Sequence, residues 1–295
     1  MILAAPKEVP YEIRRAICTT FPELADAKIS VVGKGWHSLA VEAAGFLFKF
    51  PEGEEAIEAL EREARLLAAV RPRVQMAVPD MSIHGGPPLF SRHRMLPGRT
   101  LEAVDYAALD AAHRDFLARD LALFFGELHA LDRETMVSAG ALPIGVWDTS
   151  DLTLATAWPV LPEQLRSEAK TALRAYRDLG PDPLGASYGF FDAHGWNMAF
   201  DRETGRLNGI FDFADSGFGD VHREFVQVSL VDADLAGRTI AAYEELTGKS
   251  LDSGRVFLLT AAMRLSELAG SVETGEHVEA VRALVLDWFA QTSVR

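Results

Sequence analysis

The stretch from Gly189 to Asp220 constrains this chain more than any other. It reads G-F-F-D-A-H-G-W-N-M-A-F-D-R-E-T-G-R-L-N-G-I-F-D-F-A-D-S-G-F-G-D, placing Asp192, then Asn197, then Asp212 at the end of an apolar run. Met198-Ala199-Phe200 and Gly209-Ile210-Phe211 read as two strands, with polar residues and Gly205 supplying the turn between them. Asn197 enters the first strand and Asp212 leaves the second, so the two flank the open end of one hairpin. Magnesium takes hard oxygen ligands and completes its shell with water and phosphate, which suits one carboxylate plus one amide. Asp192, Asn197 and Asp212 are therefore the set that phosphoryl transfer asks for: a carboxylate beside the attacking hydroxyl, and an amide with a second carboxylate for metal.

The run resembles the catalytic segment of the aminoglycoside phosphotransferase and choline kinase family, distant relatives of the protein kinases. That family carries H-x-D-x-x-x-x-N, then a strand ending I-D-F or I-D-W, then a G-D pair. The resemblance implies Asp192 as the catalytic aspartate, Asn197 and Asp212 as magnesium ligands, and Gly219-Asp220 as the closing pair. One position departs: the family's histidine, two before the aspartate, is Phe190 here. His194 lies inside the loop and is no positional substitute. The implied fold is α+β and bilobal, protein-kinase-like. A small antiparallel-sheet lobe with one helix, residues 1–93, is expected to bind nucleotide; a larger, mainly helical lobe, residues 94–295, is expected to carry the catalytic loop and acceptor site.

The N-terminal part suits that scheme. Ile29 to Val32 reads as a strand, Gly33-Lys34-Gly35-Trp36-His37-Ser38 as a turn, and Leu39 to Val41 as the returning strand. Such a turn lets backbone amides approach phosphate, making Gly33, Gly35 and Ser38 nucleotide-binding candidates. Phe46 to Phe50 follows as a third strand carrying Lys49. A lysine there is either an edge residue facing water or a buried cation with a partner; the resemblance favours the second, with Lys49 on the nucleotide's phosphates. Glu54 to Val70 is a helix by period, with Ile57, Leu60, Ala64 and Leu67 on one face. Glu63 borders that face, and R-E-A-R-L-L matches the family's R-E-x-x-L-L. Glu63 is thus the expected partner of Lys49, with Glu61 as the fallback and a surface ion pair as the alternative reading of Glu63. Phe90 to Met95 brackets the span where adenine would meet backbone.

Helical patterns dominate beyond: Phe116 to Arg133, Glu163 to Leu179, Phe225 to Leu246 with a break near Asp232, Arg255 to Glu273, and Glu276 to Thr292. His129 reads as a structural histidine. Asp215, Asp220, Glu224, Asp232 and Glu267 are candidates for the acceptor wall, each also explicable as a cap or ion-pair partner. The net charge of −14, with no basic tract, argues against nucleic acid or an anionic membrane as partner. No apolar run approaches a membrane span, and the N-terminus lacks the pattern of a secretory signal. The single cysteine, Cys18, excludes an internal disulfide and agrees with a reducing cytoplasm; its neighbours suggest a packed thiol.

These readings converge on a magnesium-dependent small-molecule kinase using ATP or GTP. The hydroxyl-bearing acceptor is an aminoglycoside-like polycation, an amino alcohol or a sugar. Phe190 keeps open a nucleotide-binding protein without transferase activity. A metal-dependent hydrolase would leave Lys49 and the glycine turn unexplained.

Overall fold

Period-two alternation builds the smaller sheet in this computed structural model, which describes residues 8–34, 38–86 and 88–292. β1 (Ile29–Lys34), β2 (Ser38–Ala43) and β3 (Phe46–Pro51) form an antiparallel meander, joined by β4 (Ser82–His84) and β5 (Phe90–Arg94) in the order β1-β2-β3-β5-β4. Leu39, Val41, Phe48, Phe50 and Phe90 bury one side against Ile13 and Ile17 of α1 (Tyr11–Thr20), with Cys18 packed beside them. The strands run further than the sequence suggests. β1 reaches Lys34 and β2 starts at Ser38, so Gly33 and Ser38 are strand residues, and a bulge shifts the register between Val31 and Gly33. Gly35 lies outside the described residues.

α2 (Glu54–Val70) follows β3 and opens with Glu54 and Glu55, acids that favour a helix N-terminus. It buries Leu60, Leu66, Leu67 and Val70, and with them one acid, Glu63.

The rest is mainly helical: α3 (Ala103–Ala108), α4 (Ala111–His129), α5 (Arg133–Ala139), α6 (Asp151–Leu154) and α7 (Glu163–Arg177), then α8 (Ala233–Thr247), α9 (Ser253–Thr274) and α10 (Val278–Thr292). α4 starts earlier than its apolar stripe suggests, because Asp110 caps it by accepting from the His113 amide. It ends at His129, and Asp132 caps α5 as a separate helix. Asp232 caps α8 by accepting from the Asp234 amide, which accounts for the break in the helical pattern there. The residues before it form 3-10 turns at Val221–Phe225 and Gln227–Leu230 instead of a continuous helix.

Two ribbons lie in this helical part. β7 (Met198–Asp201) and β8 (Arg206–Ile210) form the expected hairpin, although Phe211 falls just outside it. β6 (Ala186–Gly189) pairs antiparallel with β9 (Gly217–Asp220), a ribbon too short and glycine-rich to register as strands by pattern. Backbone bonds tie the hairpin to the segments leading to and from the smaller sheet. Ile210 donates to the Ala77 carbonyl at 3.0 Å, and Arg99 and Phe200 exchange bonds of 3.0 and 2.7 Å. Gly98, at φ +131°, makes that approach possible: a Cβ there would lie 2.8 Å from the Phe200 carbonyl oxygen. Among the described residues no helix is long and apolar enough to cross a membrane.

Candidate active site

Alternation along β3 sends Phe48 and Phe50 into the core and Lys49 to the opposite face, toward the helical part. Its ammonium lies 3.4 Å from both carboxylate oxygens of Glu63 and 2.9 Å from Asp212 Oδ1. Glu63 also accepts from the Phe213 amide at 3.1 Å, so one buried carboxylate holds both the lysine and the backbone beside Asp212. Burial works against the charged lysine, but Glu63 and Asp212 outweigh it and raise the ammonium above its ordinary value. Burial pushes the Glu63 carboxyl up while Lys49 pulls it back. With every contact of Glu63 coming from a donor, the ionised form is the one the geometry serves. Lys49 is the first cause of the lowered Asp212 value, against the effect of burial.

The catalytic-loop candidates follow β6. Phe190 is fully buried, with its ring centroid 4.9 Å from Phe213 and 6.1 Å from Phe124. Phe191 sits at φ +59° and Asp212 at φ +69°, two non-glycine residues in the left-handed region, where backbone strain is concentrated at functional sites. Glu224 braces the first of them: its carboxylate, wholly buried, accepts from the Phe190 and Phe191 amides at 3.0 and 2.8 Å. His129 lies 3.3 Å from the same carboxylate and 2.8 Å from the Tyr243 hydroxyl. Glu224 is therefore spent beneath the loop: its burial corrects its candidacy for the acceptor wall and leaves the alternative of a structural partner. Asp232, the α8 cap, is likewise engaged in structure.

Asp192 emerges from this braced backbone. Asn197 Nδ2 donates to its Oδ2 at 2.6 Å and to its carbonyl at 3.0 Å, while the Asn197 carbonyl accepts from the Phe211 amide at 3.0 Å. Burial, then the like charges of Asp215 and Asp212, push the Asp192 carboxyl up to about 7; the Asn197 bond opposes this and Glu267 adds to it. Asp215 and Glu267 are solvent-exposed, and partial desolvation raises both carboxyls.

The structure thus joins Lys49, Glu63 and Asp212 in one set of contacts and Asp192 with Asn197 in another, linked through the Phe211 amide and through the charge of Asp212. No described contact joins Gly33 or Ser38 to these residues. A magnesium ion fits the donor set. The Asn197 amide nitrogen donates to Asp192, which leaves the amide oxygen as a second hard donor with the Asp212 carboxylate. Among the described residues no group of three or more His, Cys, Asp or Glu is arranged to hold a metal by itself, so substrate oxygens would complete the shell.

Sequence reasoning missed Ser91 and His93. Both are buried on β5, where Ser91 pairs with Lys49, and among the described residues Ser91 Oγ and His93 Nδ1 have no hydrogen-bond partner. Burial and then Lys49 push the His93 imidazole down to about 4. The alternation of Phe90-Ser91-Arg92-His93 was the available signal, since it puts the serine and the histidine on one face.

The Phosphotransferase enzyme family matches residues 28–257. Among solved structures, the GDP and kanamycin complex of APH(2")-IIia is similar with a TM-score of 0.78 at 21% identity, covering 96% of this chain and 100% of that one. The GDP complex of wild-type aminoglycoside 2'-phosphotransferase-IIIa gives 0.78 at 22%, covering 96% and 99%. The apoenzyme of macrolide 2'-phosphotransferase MphH from Brachybacterium faecium gives 0.65 at 18%, covering 93% and 98%. Among curated protein sequences none matches. The α+β, kinase-like fold is shared along nearly the whole chain, and the family match takes in both the lysine-bearing sheet and the hairpin with its acids: this chain belongs to the phosphotransferase enzyme family.

Proposed function

We infer that this protein is a small-molecule kinase that transfers the terminal phosphoryl group of ATP or GTP to a hydroxyl of an aminoglycoside-like or related antibiotic acceptor. The observation that carries this reading is the Lys49 ammonium held between Glu63 and Asp212, with the Asp192–Asn197 pair beside it. Nucleotide would lie against residues 1–93 and acceptor against residues 94–295. Lys49 would bind phosphate oxygens, its orientation set by Glu63. Asn197 and Asp212 would hold magnesium, which when bound supplies neutralisation of phosphate charge. Asp192 would orient the acceptor hydroxyl and take its proton as the new O–P bond forms. The bond between the γ-phosphorus and the β–γ bridging oxygen breaks, and that oxygen leaves with the electron pair on the nucleoside diphosphate. Gly33, Gly35 and Ser38 remain candidates for covering the phosphates from the β1–β2 connection.

The similar structures carrying GDP, kanamycin or streptomycin with ATP support a purine nucleotide and a glycosidic antibiotic. The acidic cleft walls at Asp215 and Glu267 favour a cationic acceptor. A cytoplasmic location agrees with the nucleotide supply. The rival reading, a nucleotide-binding protein without transfer, stood on Phe190. Its ring is packed against Phe124 and Phe213, so the residue supports the loop from the core and takes no part in the chemistry.

The test is a screen of aminoglycosides, macrolides, amino alcohols and sugars with MgATP and MgGTP, read by the mass gain of one phosphoryl group. Asp192→Asn should cut turnover by about 10²–10⁴-fold while keeping nucleotide affinity, and Asp212→Asn should weaken magnesium-nucleotide binding. Unchanged turnover in the Asp192 variant would remove that assignment, and no product across the panel would count against the kinase reading.

A further inference from the structure

Phosphate chemistry leaves one side chain of the catalytic loop without a task. Trp196 precedes Asn197 and is 62% exposed, while Asn197 is 6% exposed and Ala193 wholly buried. The loop backbone that carries the indole is pinned. Leu101 donates to the Gly195 carbonyl at 2.9 Å, Asn197 donates to the His194 carbonyl at 3.0 Å, and any side chain at residue 195 would run into the Leu101 carbonyl. Beside the indole is a cavity of about 220 Å³ lined by Leu101, Glu102, His194, Trp196, Leu230 and Leu284. Leu284 comes from α10 and Leu230 from the 3-10 turn before α8, so elements far apart in sequence close this space over the loop.

His194 connects the cavity to the reacting carboxylate. Its ring stands edge-on to the indole at 5.1 Å, and its Nε2 lies 3.3 Å from Asp192 Oδ1. One imidazole thus spans from the indole to Asp192. Pockets for whole drug-sized ligands run to roughly 300–1,000 Å³, so this smaller space suits one ring of a larger molecule. Trp196 and the two leucines offer that ring an apolar wall. A saturated sugar ring has C–H groups on its face and hydroxyls at its edge, which matches an indole platform with a polar floor; a small amino alcohol whose hydroxyl meets Asp192 has no second ring to place there.

We propose that Trp196, backed by Leu230 and Leu284, is a specificity-determining platform for the apolar face of a glycoside ring adjoining the ring that is phosphorylated. This rests on the phosphoryl-transfer reading above, and it selects multi-ring glycosides over single-ring amino alcohols as acceptors. Phosphorylation of the neighbouring ring leaves the ring on the platform chemically unchanged.

The test is calorimetric titration of kanamycin, streptomycin and erythromycin, with the single-ring 2-deoxystreptamine and glucosamine as comparators, into wild type, Trp196→Ala and Trp196→Phe. Initial rates are measured wherever product forms, and thermal unfolding verifies that each variant is folded. An aromatic contact of this kind corresponds to about tenfold in affinity. At least one multi-ring glycoside should bind wild type, weaken about tenfold in Trp196→Ala through Kd and KM more than kcat, and recover in Trp196→Phe; the single-ring comparators should not respond. The platform is overturned if no multi-ring glycoside binds wild type, if Trp196→Ala leaves its affinity unchanged, if Trp196→Phe is as impaired as Trp196→Ala, or if the single-ring comparators lose as much. Trp196-dependent binding without any phosphorylated product would instead overturn the kinase reading and keep Trp196 only as a glycoside-binding surface, so the two failures are distinguishable.

Discussion

Lys49 and Asp192 face the same cleft under opposite electrostatic regimes. Lys49 has two carboxylates within 3.4 Å and is held charged. Asp192 is crowded by burial and by Asp215 and Asp212, with the Asn197 amide opposing them, and is pushed up to about 7. A carboxyl raised in the folded state binds protons more tightly there than in the unfolded chain. The stability it contributes is full below the ordinary value of 3.8, falls as the pH rises toward 7, and is absent above it. Removing the charge should therefore stabilise the metal-free protein in alkali. Asp192→Asn should unfold a few degrees above wild type at pH 8, with the gap closing below about pH 4. Scanning calorimetry across that range checks it, and coincident midpoints at pH 8 would show that Asp192 is not destabilised by its neighbours. The same crowding brings a proton acceptor near working pH, where it is most effective.

The catalytic loop acts as an element because buried groups fix it from beneath. Glu224 holds the Phe190 and Phe191 amides, and through His129 and Tyr243 this bracing reaches α4 and α8. Phe190 completes the support with an apolar contact. Its ring touches Phe213, the residue following Asp212, so the two segments bearing the acids are packed together. Restoring the family's histidine at this position should consequently harm this protein. Phe190→His places a polar ring among Phe124 and Phe213, at a cost of about 1–3 kcal/mol if it finds no partner. The expected outcome is a lower unfolding midpoint in thermal or urea melts. An equal or higher midpoint would mean that the loop can supply a hydrogen-bond partner there.

Across the whole molecule, the smaller sheet and the helical part meet at charged contacts between distant segments. Lys49 bonds to Asp212, and Glu63 accepts from the Phe213 amide, while the linker at Arg99 pairs with Phe200. A nucleotide bound between these parts should stabilise the protein as a unit. At a hundred times its Kd, any ligand specific to the folded state adds about 2.7 kcal/mol. MgATP or MgGTP should thus raise the unfolding midpoint of wild type, and Lys49→Met should largely abolish that rise at the same nucleotide concentration. Equal rises in both proteins would detach Lys49 from nucleotide binding.

Local pattern made much of this legible. The spacing of Asp192, Asn197 and Asp212 around a hairpin and the lysine in an alternating strand are short-range features, so period and turn chemistry exposed them. Glu63 borders a helical stripe, as Glu61 does, and the resemblance of R-E-A-R-L-L to the family pattern chose between them; Asp232 announced a break in periodicity by capping α8. Gly33 and Ser38 fall in strands and not in the turn, a shift of one or two residues, because strand ends depend on pairing across the sheet, which a single segment does not encode. The burial of Glu224 under the loop, the cleft position of Glu267, the orphaned Ser91 and His93, and the cavity beside Trp196 join residues far apart along the chain. Sequence by itself determined which chemical groups are present and the local elements that carry them. Only the tertiary structure decided which of the many acids share a cleft, since burial and mutual charge are properties of separations that chain order leaves unspecified.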